Sequence, residues 1–285
     1  MVVARTPYAG PWLNNAAAQL RIVPQVTTEA YLQAIAELRG ASPRGRVVVA
    51  AEAVGFFDGL KLDIPAIHKA AKTLPDGILA VDVSQWWGEF KAAEFADLVF
   101  ITGNKWLLAD HGVAVTWVHP DLLPRLAPAD SWQHGGKNKS GGMEAMLNGI
   151  EGPKPWGPLW TLRHSSQYLV KLGGLAAIHG HVAPLVSLAT RLLHEGGLPL
   201  LSPLDEARQS GNVCFGQATL AETEACFEDL WNEAGVVLSH GGAVARLRLT
   251  PYAYTSEDDV RAAVPRILRH LARNGLALNG PALKR

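Results

Sequence analysis

Short apolar runs alternate with stretches of helical period along the first half of the chain. Residues 20–26 and 46–51 read as buried strands, 28–38 as a helix behind a Thr cap, and 63–74 as a second amphipathic helix. Two further runs, 78–81 and 98–101, are apolar throughout and end in polar residues: the first delivers Asp82 and then Gln85, the second Thr102, Asn104 and Lys105. Residues 113–118 form another strand, with a short helical turn after Pro120. Strands alternating with helices predict an α/β fold on a mainly parallel sheet. Ligands of such sheets sit outside the carboxyl ends of the strands, so both polar groups emerge on the binding edge.

The pattern changes over residues 131–157, where Gly, Lys, Pro and Asn dominate without a sustained hydrophobic period. The run from His134 to Gly142 lacks the spacing of a phosphate-cradling P-loop, and no strand leads there into a helix, so a surface loop is expected. A connecting helix follows over 159–178 and another over 182–194. Beyond them lies a compact α/β module, with strands at 212–218, 235–238 and 244–249 and helices at 222–234 and 256–272. The chain thus divides into a large domain, 1–158, and a connecting helix with a small carboxyl-terminal domain, 159–285.

Composition narrows the function. With 26 Lys and Arg against 26 Asp and Glu in 285 residues, the chain has no basic footprint for nucleic acid. No apolar stretch is long enough to cross a bilayer and the first residues lack a signal-peptide pattern, so a cytoplasmic protein without membrane contact is expected. Cys214 and Cys226 have neither the number for a disulfide framework nor the spacing of a zinc site; both read as reduced packing residues, and no metal is expected.

The two strand-end groups carry the chemistry. Singly, an Asp there is a turn former and a Lys a solvated loop charge. Together, an acid, an amide and a lysine meet the needs of pyridoxal phosphate: the amine forms a Schiff base with its aldehyde, and a carboxylate keeps its pyridine nitrogen protonated.

Residues 79–85 and 96–112 resemble the class V aminotransferase group of fold-type I pyridoxal phosphate enzymes, which includes cysteine desulfurases, isopenicillin-epimerase-like proteins and kynureninases. The likeness rests on Asp82-x-x-Gln85, on Thr102-x-Asn104-Lys105-Trp106 and on the turn at Gly112. It implies that Asp82 pairs with the pyridine nitrogen, Gln85 bonds the phenolic oxygen, Thr102 and Asn104 hold the phosphate, and Lys105 carries the aldimine. Asn104 stands where the family often has His.

Residues 246–259 are similar to the family's Arg-x-Ser-Pro-His-x-Tyr-Asn segment, with Tyr252 and Thr255 in place of its His and Asn. Arg248 is then the ligand of the substrate α-carboxylate, a task suited to a planar guanidinium. Arg246, two residues away on the same strand face, competes for that role. The family's ring-stacking residue falls near Thr6 to Tyr8, which makes Tyr8 a candidate and Trp12 a weaker one. Ala51 or Glu52 takes the place of a polar cofactor contact before the Gly55 turn. Trp86, Trp87 and Trp106 are either core fillers or pocket walls, and His111 and His134 read as loop residues.

By the same resemblance, about ninety residues precede the corresponding starting point in family members, among them a phosphate-gripping loop. The stretch around Ser239 to Gly242 has no cysteine, which argues against a standard desulfurase. The expected function is the transformation of a small amino-acid substrate through a lysine aldimine, of transaminase or lyase type, in a homodimer. The alternative is a catalytically impaired, shortened homologue that serves as a dimerising or regulatory partner.

Overall fold

Most of the apolar runs become strands. The computed structural model describes residues 2–4, 21–41, 45–85, 91–126, 156–216, 219–240 and 245–273. The first sheet contains β1 (Val2–Ala4), β2 (Arg21–Val23), β3 (Val48–Glu52), β4 (Ile78–Asp82), β5 (Leu98–Thr102) and β6 (Ala114–Val118). Their order is β2-β1-β3-β4-β5-β6, and every pair is parallel except β5 with β6. The exception follows from chain length: a tight turn can return a strand only antiparallel, whereas a parallel return needs a longer crossover. Register sets Glu52 opposite Asp82 and Asp82 opposite Phe100, so the polar residues reach one common edge.

Between these strands lie α1 (Thr28–Gly40), α2 (Ile64–Ala71) and the short α3 (Ala92–Phe95). Thr27 caps α1 by accepting from the Ala30 amide at 3.2 Å, and Asp63 caps α2 by accepting from Ala66 at 2.9 Å. The apolar face of α2 buries Ile64, Ile67 and Ala71, while Tyr31 of α1 donates its hydroxyl to the Ala50 carbonyl of β3 at 3.0 Å. Asp97, before β5, accepts from the Leu79 amide at 2.8 Å and pairs with Lys72 at 2.6 Å, fixing β5 against β4.

The second half begins with α4 (Trp156–Lys171) and α5 (Gly174–Glu195). The sequence reading placed the break between these helices after 178; it lies at Gly173 and Gly174, whose φ angles of 96° and 75° only glycine adopts without strain. The two helices meet at 73°. Pro184 lies inside α5 without ending it. Among the described residues no single helix is long and apolar enough to cross a membrane.

A second sheet follows, order β7-β9-β8, antiparallel throughout: β7 (Val213–Gly216), β8 (Ser239–His240) and β9 (Arg246–Leu249). The expected strand at 235–238 is not one. Val236 and Leu238 are buried and Val237 exposed, so the alternation is real, but Gly235 enters with φ 62° and ladder pairing begins only at Ser239. Helix α6 (Leu220–Asn232) starts with a reciprocal Thr219 and Glu222 capping box and packs on β8 and β9. Helix α7 (Glu257–Arg273) buries Val260, Val264, Ile267 and Leu271 and packs on α5 and α6. The expected loop at 131–157 lies outside the described residues as far as 155, and α4 begins at Trp156.

Candidate active site

Lys105 sits in a tight turn that follows β5. The turn is closed by Gly103, which donates to Val113 and accepts from Ala109, each at 2.8 Å. A side chain at Gly103 would stand 2.5 Å from Val113 Cγ1, so the close approach of the two arms requires glycine. Leu108, with φ 55°, completes the reversal, and its amide donates to the Lys105 carbonyl at 3.1 Å. The lysine is thereby fixed at the carboxyl edge of the first sheet.

Its amine is held below the ordinary lysine range. Burial is the main cause, because taking the ammonium out of water disfavours the charged form; Arg248 adds repulsion, and Asp82 and Glu52 act in the opposite sense. Asp82 is oriented by accepting from the Ser84 amide at 2.7 Å, and Ser84 Oγ accepts in turn from the Thr102 amide at 3.0 Å. That relay locks the ends of β4 and β5 together. The Thr102 hydroxyl is buried and has no hydrogen-bond partner among the described residues.

The second sheet completes the site. Arg248 donates to Gln85 Oε1 at 2.6 Å. The Gln85 carbonyl accepts from Trp106 Nε1 at 2.8 Å and from Asn212 Nδ2 at 3.0 Å, and Asn212 Oδ1 accepts from the Thr250 hydroxyl at 3.0 Å. Tyr252, where the family has His, donates its hydroxyl to the Trp106 carbonyl at 2.6 Å. Gln85, Asn104, Lys105, Trp106, Asn212 and Arg248 thus line one open cavity of about 830 Å³.

Lys105, Gln85, Asn104 and Arg248 line one cavity, with Asp82 within electrostatic reach of the amine and Thr102 tied to the same edge through Ser84. Asn104 Nδ2 lies 3.1 Å from His111 Nδ1. Trp106 is a core residue, 5% exposed. Tyr8, Trp12, Trp86, Trp87 and His134 lie outside the described residues. Asn212, which read only as the start of a strand, gains a site role that its sequence position did not reveal, and Tyr252, already noted in the Arg248 segment, acts through a contact distant in sequence. Among the described residues no group of three or more His, Cys, Asp or Glu could hold a metal ion.

No protein-family model and no curated protein sequence matches the chain. Solved structures do. The cysteine desulfurase CsdA from Escherichia coli, in its S-sulfonic acid form, is similar at 19% identity with a TM-score of 0.75, over 95% of this chain and 72% of that one. An apo cysteine desulfurase from Thermococcus onnurineus NA1 is similar at 19% identity and a TM-score of 0.71, with the same coverage. An alanine–glyoxylate aminotransferase from Nostoc sp. is similar at 16% identity and a TM-score of 0.71, over 95% of this chain and 75% of that one. The architecture is α/β, with a mostly parallel sheet that carries a lysine at its carboxyl edge. More particularly, the fold is the one shared by these two cysteine desulfurases and this alanine–glyoxylate aminotransferase.

Proposed function

We propose that this chain binds pyridoxal phosphate at Lys105 and transforms an amino acid, by transamination or by lyase chemistry. The observation that carries the reading is the half-buried Lys105, its amine depressed, in one cavity with Gln85 and Arg248 and within electrostatic reach of Asp82.

The polar atoms present fit the cofactor's pattern. Asp82 uses Oδ1 for the Ser84 amide, which leaves Oδ2 to accept from a ring N–H. Gln85 uses Oε1 for Arg248, which leaves its amide nitrogen to donate to a phenolic oxygen. The orphaned Thr102 hydroxyl and Asn104 supply polar contacts for a phosphate. When bound, pyridoxal phosphate would supply an aldehyde for the lysine and an electron-withdrawing ring for the substrate.

The residues of the chain do the rest. Arg248 offers a planar donor pair to the α-carboxylate and so orients the amino acid. The Lys105 amine, depressed by burial, carries its lone pair at lower pH than a surface lysine and can take and return the α-proton. Trp106 and Tyr252 fix the backbone beside that amine, through the Tyr252 bond to the carbonyl that follows it. The same reading carries a large domain, 1–158, a small one, 159–285, and a cytoplasmic homodimer; Trp156, Trp160 and Tyr168 of α4, each more than half exposed, support self-association.

The test is the visible spectrum of the purified protein with added pyridoxal phosphate, followed by borohydride reduction and peptide mapping. The expected result is an absorbance band that Lys105→Ala abolishes and a pyridoxyl group on Lys105. A folded protein with no lysine-dependent band at saturating cofactor would reject the reading in favour of a non-catalytic partner.

A further inference from the structure

The cavity that holds Lys105 and Arg248 does not end at them. It continues between the segment 235–239 and one face of α7, with Val236, Leu238, Ala262 and Ala263 among its walls. Ser239 of β8 is in register with Arg248 of β9, so the wall formed by 236–238 begins beside the arginine. Gly235, with φ 62°, turns the chain out of α6 into that wall, and the Val236 amide holds it there by donating to the Leu230 carbonyl at 2.9 Å. On α7, Asp259, Ala262, Ala263 and Arg266 recur at the three- and four-residue spacing of one helix face, beside the face that buries Val264, Ile267 and Leu271.

The two charges on that face hold the walls together. Asp259 accepts from the Ser256 amide and hydroxyl at 2.8 and 2.7 Å, which fixes the start of α7. Arg266 donates to the Ala234 carbonyl at 3.2 Å, which ties the helix to the turn opposite. Between them stand two alanines, whose short side chains leave the space open.

The rest of the lining is largely apolar. Leu108, Val237 and Tyr254, which are 37%, 64% and 78% exposed, all line this cavity. One exposed apolar side chain is ordinary, whereas three around one hollow make a surface for an apolar ligand. The volume of about 830 Å³ lies high in the range of roughly 300–1,000 Å³ that suits drug-sized ligands. An amino acid with a one-carbon side chain, anchored at Arg248, leaves this arm unfilled.

We propose that the arm receives the side chain of the substrate, so that the site takes an amino acid whose side chain is long and apolar or carries an apolar ring. The α-carboxylate lies on Arg248, and the side chain runs between 236–238 and the two alanines of α7. This rests on the reading of the cavity as an amino-acid site. Burial of apolar surface drives the selection, and each methylene added to the side chain should tighten binding roughly fourfold until the arm is full.

The experiment measures binding of L-alanine, L-norvaline, L-norleucine and L-phenylalanine by calorimetry on the full chain, with and without pyridoxal phosphate. L-Glutamine serves as a polar side chain of similar length to norleucine. Ala262→Phe, which fills the arm, and Val237→Ala, which trims an exposed part of its wall, are compared with the wild type, and melting temperatures are taken alongside. The expected result is that the wild type binds norleucine at least about tenfold more tightly than alanine or glutamine, that Ala262→Phe loses the gain with chain length, and that Val237→Ala reduces it several-fold. A series that is flat with chain length, a preference for glutamine over norleucine, or a gain that survives in every variant melting with the wild type would each overturn the assignment. Binding of no member of the series under either condition removes the amino-acid site and the arm with it. Borohydride trapping at Lys105, run in parallel, separates the two ideas: trapping with a flat series removes only the arm, and a gain with chain length without trapping removes only the cofactor.

Discussion

Replacing Tyr252 by Phe tests whether the second sheet holds the lysine turn in place. The substitution keeps the ring, which is 5% exposed and packs edge-on against Trp106 with centroids 4.9 Å apart, and deletes only the hydroxyl. That hydroxyl donates to the Trp106 carbonyl at 2.6 Å. The net worth of such a bond is about 1 kcal/mol, and stranding a buried carbonyl brings the total to about 1–3 kcal/mol. Loss of the whole ring in Tyr252→Ala should cost about 3–5 kcal/mol by comparison. Urea unfolding is the assay, supported by calorimetry, where the smaller loss should lower Tm by about 2–8 °C. The pH dependence gives an independent reading. Burial pushes the Tyr252 phenol up from 10.0 to about 12, so the native state holds this proton more tightly than the unfolded chain. Its contribution is therefore complete below pH 10 and is lost as pH rises through about 12, and the wild type should lose more stability than Tyr252→Phe across that window. A variant within about 0.3 kcal/mol of the wild type at pH 7, with the same alkaline slope, would refute the argument that this bond anchors the turn.

The remaining predictions concern the surroundings of that anchor. Arg248→Gln removes a positive neighbour of Lys105, so the amine should titrate at higher pH; the pH dependence of amine labelling at Lys105 checks this, and a shift to lower pH would contradict it. Gly59→Ala should cost about 1–2 kcal/mol in denaturant titration, since Gly59 has φ 67° and a Cβ there would stand 2.9 Å from the Asn212 carbonyl. Thr219→Ala breaks the capping box of α6 and should cost about 0.5–2 kcal/mol without changing cofactor binding, and equilibrium unfolding measures it.

Local chemistry was legible in the sequence wherever one segment determined the outcome. Thr27 and Asp63 mark helix starts because each side chain satisfies an amide within its own first turn. Strands β4 and β5 are apolar runs that end in polar residues, and their parallel register carries Asp82 and Thr102 to one edge. The break between α4 and α5 was misplaced because the apolar pattern continues past residue 173, while two left-handed glycines decide the geometry. The strand at 235–238 was misread because burial alternates there without a partner strand. The separation of Arg246 from Arg248 was not legible at all. Two arginines on one strand face look alike until Gln85, Cys214 and Phe56, all distant in sequence, take different places around them.

The Gln85 carbonyl has a kinetic consequence. Both of its lone pairs are engaged, one by Trp106 from the first sheet's turn and one by Asn212 beside the second sheet. A jaw-like opening between the two sheets would have to strip the Asn212 bond from that oxygen and, with it, the Arg248 bond from the same residue's side chain. The rate of ligand capture should accordingly follow the width of the standing entrance rather than the frequency of a hinge, and native-state hydrogen exchange should find the segments around Gln85 and Asn212 opening together.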